Sequence, residues 1–328
     1  MLEIVIVTVV LAVLFDVSNG WNDSANSIAT VVSTRVLSPQ RAVMLAAVMN
    51  VLGALVSTEV AKTIGTGVVD PSAVSQVVVA SALVTGFLWN GAMTVLGLPV
   101  SASHALIGSL IGAAGAYAGW GVLNDAGIKK ILLALLISPV LGLAIGYVLM
   151  RLILLVFGRY SPWAINRNFG RLQLVSSAFM AFSHGSNDAQ KVMGIITLSL
   201  FSGGLIESIE VPTWVVLMCA VAMGLGTALG GWKVIRTLGM KMLRLEPVHG
   251  FAAETAATAI ILGASHAGLP VSTTHVITST IMGVGSTKRL SAVRWGVAWK
   301  IVLAWVFTLP ACIAFAYVIQ RFLFSRIF

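Results

Sequence analysis

Long stretches without charge dominate this chain: no Asp, Glu, Lys or Arg occurs over residues 71–124, 131–150, 211–232 or 255–287. Runs of that length cross or enter a bilayer, where an isolated charge is costly. Charged residues make up 9% of the sequence, against about 25% in soluble domains, so a soluble globular fold is excluded. The 20 Lys and Arg outnumber the 11 Asp and Glu, for a net charge of +9. They flank the apolar runs, so they speak for orientation in a membrane and against nucleic acid as a partner. At about 20 residues per span, the 328 residues allow about ten or more membrane segments and no soluble domain. The expected class is an all-α polytopic membrane protein. Residues 4–15 are long enough for a signal-peptide core, but Glu3 precedes them and no small-residue cleavage site follows, so they are read as mature structure. Cys219 and Cys312 stand alone in apolar runs and are read as packing residues.

The chain also repeats itself. Gly97-Leu98-Pro99-Val100-Ser101-Ala102-Ser103-His104 returns as Gly268-Leu269-Pro270-Val271-Ser272-Thr273-Thr274-His275, an offset of 171, and Asn22-Asp23 returns as Asn187-Asp188 at 165. Lys62-Thr63-Ile64-Gly65 matches Arg236-Thr237-Leu238-Gly239, and Lys130-Ile131 matches Lys300-Ile301. The expected organisation is a first repeat over 1–150, a basic connector over 151–171 and a second repeat over 172–328. The first copy holds segments at 4–34, 42–61 and 131–150 and a pair within 71–124, an odd number, so the second copy is expected upside down. The basic residues agree. Arg35 and Arg41 mark the first loop of copy one, whereas the counterpart loop at 202–212 holds only Glu207 and Glu210; the next loop has Lys62 in copy one but Lys233, Arg236, Lys241 and Arg244 in copy two. With both termini outside, the connector and most basic residues lie in the cytoplasm, and Lys62, Lys129, Lys130, Arg321 and Arg326 remain outside.

An intramembrane carboxylate requires a reason. Asp23 and Asp188 sit at matching places, each beside an Asn and near a Gly expected to let the backbone leave the helix. Discontinuous helices at corresponding positions point to a transport site, where carbonyl and Asp oxygens suit hard cations; a purely structural helix interruption is the alternative. Pro99 and Pro270 end the preceding helices, and the Ser and Thr residues that follow are helix-starting types. Two helix N-termini with the hydroxyls of Ser101, Ser103, Ser272, Thr273 and Thr274 would hold an oxyanion without fixed charge. Glu254 opens the uncharged run of the second copy and has no partner in the first, leaving a cation or proton site, or a carboxylate at the membrane surface. Lys191 is placed to pair with Asp188 at i, i+3. His104 and His275 are read as satisfied helix histidines, and His184, His249 and His266 show no metal-ligand spacing.

Together these motifs resemble the inorganic phosphate transporter (PiT) family of sodium- or proton-coupled phosphate symporters. The resemblance rests on 20–26, 185–191, 98–104 and 269–275, in duplicate and in order. It implies a phosphate site at Ser101, Ser103, Ser272, Thr273 and Thr274 with Asn22, Asn187 and Gln190. It also implies sodium ligands among Asp23, Asp188, Asn22, Asn187, Asn26 and Glu254. No resident cofactor is expected; the expected partners are inorganic phosphate, sodium or a proton, and the lipid bilayer, and a homodimer is compatible. Two features depart from the pattern: Asn50 stands where some relatives carry a carboxylate, and the large hydrophilic loop of animal relatives is missing. The resemblance therefore implies a compact microbial form in a plasma membrane. A membrane phosphatase is disfavoured because no basic phosphate clamp accompanies Ser-Ala-Ser-His. An ion channel is disfavoured by the repeat, which suits alternating access. A sulfate permease remains an alternative on physical grounds, since sulfate is also a tetrahedral oxyanion.

Overall fold

The computed structural model describes residues 2–71 and 74–324, and Arg326 lies outside them. The described chain is helical, with one isolated antiparallel bridge, Val69 to Leu123. The helices of the first repeat are α1 (Leu2–Ser33), α2 (Pro39–Ala54), α3 (Glu59–Gly67), α4 (Gln76–Leu96), α5 (Ala102–Ala118) and α6 (Asp125–Phe157). The second repeat gives α7 (Pro162–Ser202), α8 (Thr213–Leu229), α9 (Trp232–Arg236), α10 (Pro247–His266), α11 (Thr273–Ser286) and α12 (Trp295–Ile319). Most of residues 151–171 is helix, shared between the end of α6 and the start of α7.

The repeats interlock. α1 packs on α8 as α2 packs on α7, and α5 packs on α12 as α11 packs on α6. Pro139 inside α6 and Pro310 inside α12 extend the correspondence at the offset of 171. Buried apolar residues form two clusters. The first takes Val5, Ala12 and Phe15 from early α1 but Ala189, Val192 and Ile196 from late α7. The second takes Ala25, Ile28 and Val31 from late α1 but Phe169, Met180 and Ala181 from early α7. Between them both helices carry buried polar side chains: Asp16, Ser18, Asn19, Asn22, Asp23 and Ser24 on α1, and Ser183, His184, Ser186, Asn187 and Asp188 on α7. A polar layer thus lies across the middle of the molecule.

Outward faces are apolar, as a lipid-facing surface requires; Leu133, Leu136, Val140 and Val148 of α6 are exposed examples. Among the described residues four helices are long and apolar enough to cross a membrane, or up to six segments if the bent pairs α2 with α3 (71°) and α8 with the helical stretch Trp232–Lys241 (63°) each count as one. That is fewer than the ten or more expected. α7 escapes such a measure because its polar residues face protein, and α5 and α11, of 17 and 14 residues, are the short arms of Pro-broken pairs.

The breaks come where the sequence places them. Gly97 and Gly268 adopt left-handed φ of 72° and 63°, closing the preceding helices through Leu98 N to Met93 O (3.0 Å) and Leu269 N to Ala264 O (2.8 Å). Pro99 and Pro270 then prevent continuation. The expected interruption at the Asn-Asp motifs is absent: α1 and α7 run unbroken through them. A Cβ on Gly20 would stand 2.6 Å from Met223 O, and one on Gly185 would stand 2.1 Å from Asn50 O. These glycines serve close helix contact rather than a backbone exit.

Candidate functional site

The polar layer meets the two Pro breaks. Ser101 and Ser272 start α5 and α11, their hydroxyls accepting from His104 N and His275 N, each at 3.2 Å. Their oxygens are thereby committed to capping. The next backbone N–H groups, of Ala102, Ser103, Thr273 and Thr274, have no intrahelical acceptor. Asn22 Nδ2 donates to Thr94 Oγ1 (2.7 Å), and Asn187 Nδ2 donates to Ser265 Oγ (2.9 Å) and Leu269 O (3.3 Å). The two asparagines thus pin the ends of α4 and α10 to the long helices.

The carboxylates come together with the helix starts. Thr273 Oγ1 donates to Asp188 Oδ2 (2.8 Å), and Thr274 Oγ1 lies 3.2 Å from Asp23 Oδ1. Asn26 Nδ2 donates to Thr274 Oγ1 (3.0 Å). Lys191 pairs with Asp188, as the i, i+3 spacing predicts, and also donates to Ser103 Oγ (2.6 Å) and Val271 O (2.8 Å). Asp23, Asp188 and Lys191 are each at most 2% exposed, so the cluster is closed to solvent from both sides.

His184, set aside from sequence for want of metal spacing, belongs to this cluster. Its Nε2 lies 3.1 Å from Asp188 Oδ2, outside hydrogen-bond geometry, and 4.0 Å from Asp23 Oδ2. Its Nδ1 is 2.8 Å from Asn50 Oδ1. Asn50 Nδ2 donates to Thr227, whose hydroxyl donates onward to Met223 O. That chain orients the Asn50 oxygen toward the ring and places a proton on Nδ1. Asp23, His184 and Asp188 each offer one ligand atom within 4.8 Å of the others, a set able to hold a metal ion. The i, i+4 spacing of His184 and Asp188 was the available sequence signal. Asp16 was also missed; both its carboxylate oxygens are buried without a hydrogen-bond partner.

Two expected site residues lie elsewhere. Gln190 Oε1 accepts from Val60 N (2.8 Å) and Ala61 N (3.4 Å), capping α3, and its Nε2 donates to Ser186 O (2.5 Å). Its polar atoms are used by structure. Glu254 on α10 has its own polar nest, accepting from Thr30 Oγ1 (2.5 Å), Gln173 Nε2 (3.1 Å) and the Ser176 hydroxyl. Thr30 is seven residues beyond Asp23, about 10 Å along α1, so Glu254 is not in the Asp23–Asp188 cluster. The His104 and His275 rings are tilted by 33° with centroids 4.7 Å apart, and His104 Nδ1 and His275 Nε2 have no hydrogen-bond partner, unlike the satisfied histidines expected. Cys219 and Cys312 are free and buried.

The model of the phosphate transporter family matches residues 19–166 and again 159–316. The chain belongs to the phosphate transporter family. It is 45% identical over 330 residues to a Bacillus subtilis (strain 168) protein named "Probable low-affinity inorganic phosphate transporter", covering 99% of each chain. A Rhizobium meliloti (strain 1021) protein of the same name is 46% identical over 305 residues, 92% of this chain and 91% of that one. Among solved structures, "The sodium-dependent phosphate transporter" superposes with a TM-score of 0.90 at 26% identity, covering 97% of this chain and 98% of the other. The chain is thus an integral membrane transporter of phosphate and not an enzyme.

Proposed function

We propose that this phosphate transporter is a symporter that imports inorganic phosphate with sodium by alternating access across the plasma membrane. The observation that carries this reading is the meeting of two helix N-termini, from α5 and α11, with Asp23 and Asp188 in one solvent-closed layer. The backbone N–H groups of Ala102, Ser103, Thr273 and Thr274 supply an oxyanion with donors, and the hydroxyls of Ser103, Thr273 and Thr274 join them when their protons turn from Val271 O, Asp188 and Asp23 or Val100 O. Asn22 and Asn187 hold the breaks in place, and Ser101 and Ser272 act as caps. Phosphate beside two carboxylates places about three to four negative charges together, against the Lys191 ammonium and about half a positive charge from each helix N-terminus. Bound cations balance the remainder, and Asp23 with Asn26 is the preferred sodium site. The structural neighbour's description as sodium-dependent supports the choice of ion.

Opposite passage of α1 and α7 through the two apolar clusters supports the inverted arrangement of the repeats, with 1–150 and 172–328 as the two units. The basic residues then favour both termini outside and the 151–171 connector in the cytoplasm. Proton coupling is the second reading, favoured by Glu254, which is fully buried and has no cationic partner among the described residues. Uptake of labelled phosphate into proteoliposomes separates the two. An inward sodium gradient without a pH gradient should drive phosphate uphill; accumulation only under a proton gradient would transfer the coupling role to Glu254.

A further inference from the structure

The two halves of the site are built from corresponding oxygen types, and the second also holds an ammonium. Asp23, Val100 O and Thr274 form the first half; Asp188, Val271 O and Ser103 occupy the matching positions of the second, at the repeat offsets of 165 and 171. Asn26 of the first half corresponds to Lys191 of the second. The Lys191 ammonium has three N–H donors, and Asp188 Oδ1, Ser103 Oγ and Val271 O take all three. Carboxylate, hydroxyl and main-chain carbonyl are also the oxygen types that bind a hard cation.

Among the described residues, the first half offers the same oxygen types to no Lys or Arg in contact. One Thr274 hydroxyl proton lies between two acceptors, Asp23 Oδ1 at 3.2 Å and Val100 O at 3.1 Å, and can satisfy only one of them. Asn26 Oδ1 is buried without a hydrogen-bond partner. The nearest basic group to Asp23 is His184 Nε2 at 4.0 Å, and that ring also faces Asp188. A buried carboxylate so placed needs a counter-ion.

We infer that Lys191 is a tethered cation, its ammonium holding in the second half-site the place that a dissociable monovalent cation takes in the first. The transporter then carries one cation fewer per phosphate than a carrier with the Asn26 arrangement in both halves. This rests on the reading of Asp23 as a cation site.

The test measures sodium and phosphate fluxes together in proteoliposomes for the full chain, Lys191→Asn and Asn26→Lys, with folding checked by gel-filtration profile and thermal melting. Lys191→Asn should move about one more sodium per phosphate and show a steeper sodium dependence, and Asn26→Lys should move about one fewer, because net cation binding is linked to site charge. Either variant, folded and transporting at the unaltered flux ratio, would overturn the inference; if one fails to fold, the other decides. If uptake by the unaltered protein proves independent of sodium, the symport reading fails separately. Lys191→Asn gaining a sodium dependence would then still support the tethered cation, and its remaining sodium-independent would overturn it.

Discussion

Asp23 and Asp188 are twins in sequence with different surroundings, and substitution should separate them. Asp188 neutralises a buried ammonium, so Asp188→Asn leaves Lys191 uncompensated and should cost about 3–5 kcal/mol of stability. Asp23 has no ammonium partner, so Asp23→Asn should melt near the unaltered temperature while losing sodium-stimulated uptake. Thermal melting together with uptake checks both; equal melting losses in the two variants would contradict the asymmetry. Both aspartates were legible in the sequence because an intramembrane charge that recurs in a repeat has few explanations. His184 was not, because its second carboxylate, Asp23, comes from another helix and only the Asp188 spacing lies within one segment. Asp16 escaped for a similar reason: it lies two turns before Asp23 and has no counterpart, since position 181 is Ala.

At the scale of the helices, the Pro breaks could be read because Gly, Pro and Ser act locally. The continuity of α1 and α7 could not, since it depends on what Gly20 and Gly185 touch across an interface. The structure divides the hydroxyls that sequence grouped together. Ser272→Ala should lose about 1 kcal/mol of stability as a cap and leave phosphate affinity within about twofold, because that oxygen already accepts from His275 N. Thr274→Val should weaken phosphate binding by about 1–3 kcal/mol, the cost of stranding a buried partner. Calorimetric titration of the folded variants checks the division, which fails if both lose affinity equally. Gly185→Ala is expected to destabilise by about 1–3 kcal/mol through overpacking against Asn50. That outweighs the gain of about 1 kcal/mol in helix propensity, and thermal denaturation reports the sign.

At the scale of the molecule, duplication made the architecture readable, while interlocking hid the number of spans. Hydropathy marks helices facing lipid, whereas α7 spends its polar residues on the interior and α5 and α11 start within the protein. Orientation rests on the basic residues, and cysteine labelling tests it. In intact cells, Glu207→Cys should react with an impermeant reagent and Arg159→Cys should be protected; labelling of both from outside would contradict inversion. The central claim is that sodium and phosphate occupy one site together, each screening the repulsion met by the other. Such coupling is reciprocal and of about 1–3 kcal/mol. The most direct measurement is therefore the phosphate dissociation constant of purified protein from zero to saturating sodium. The account predicts tightening by about 5- to 150-fold, abolished in Asp23→Asn; a constant unchanged across the sodium range would contradict it.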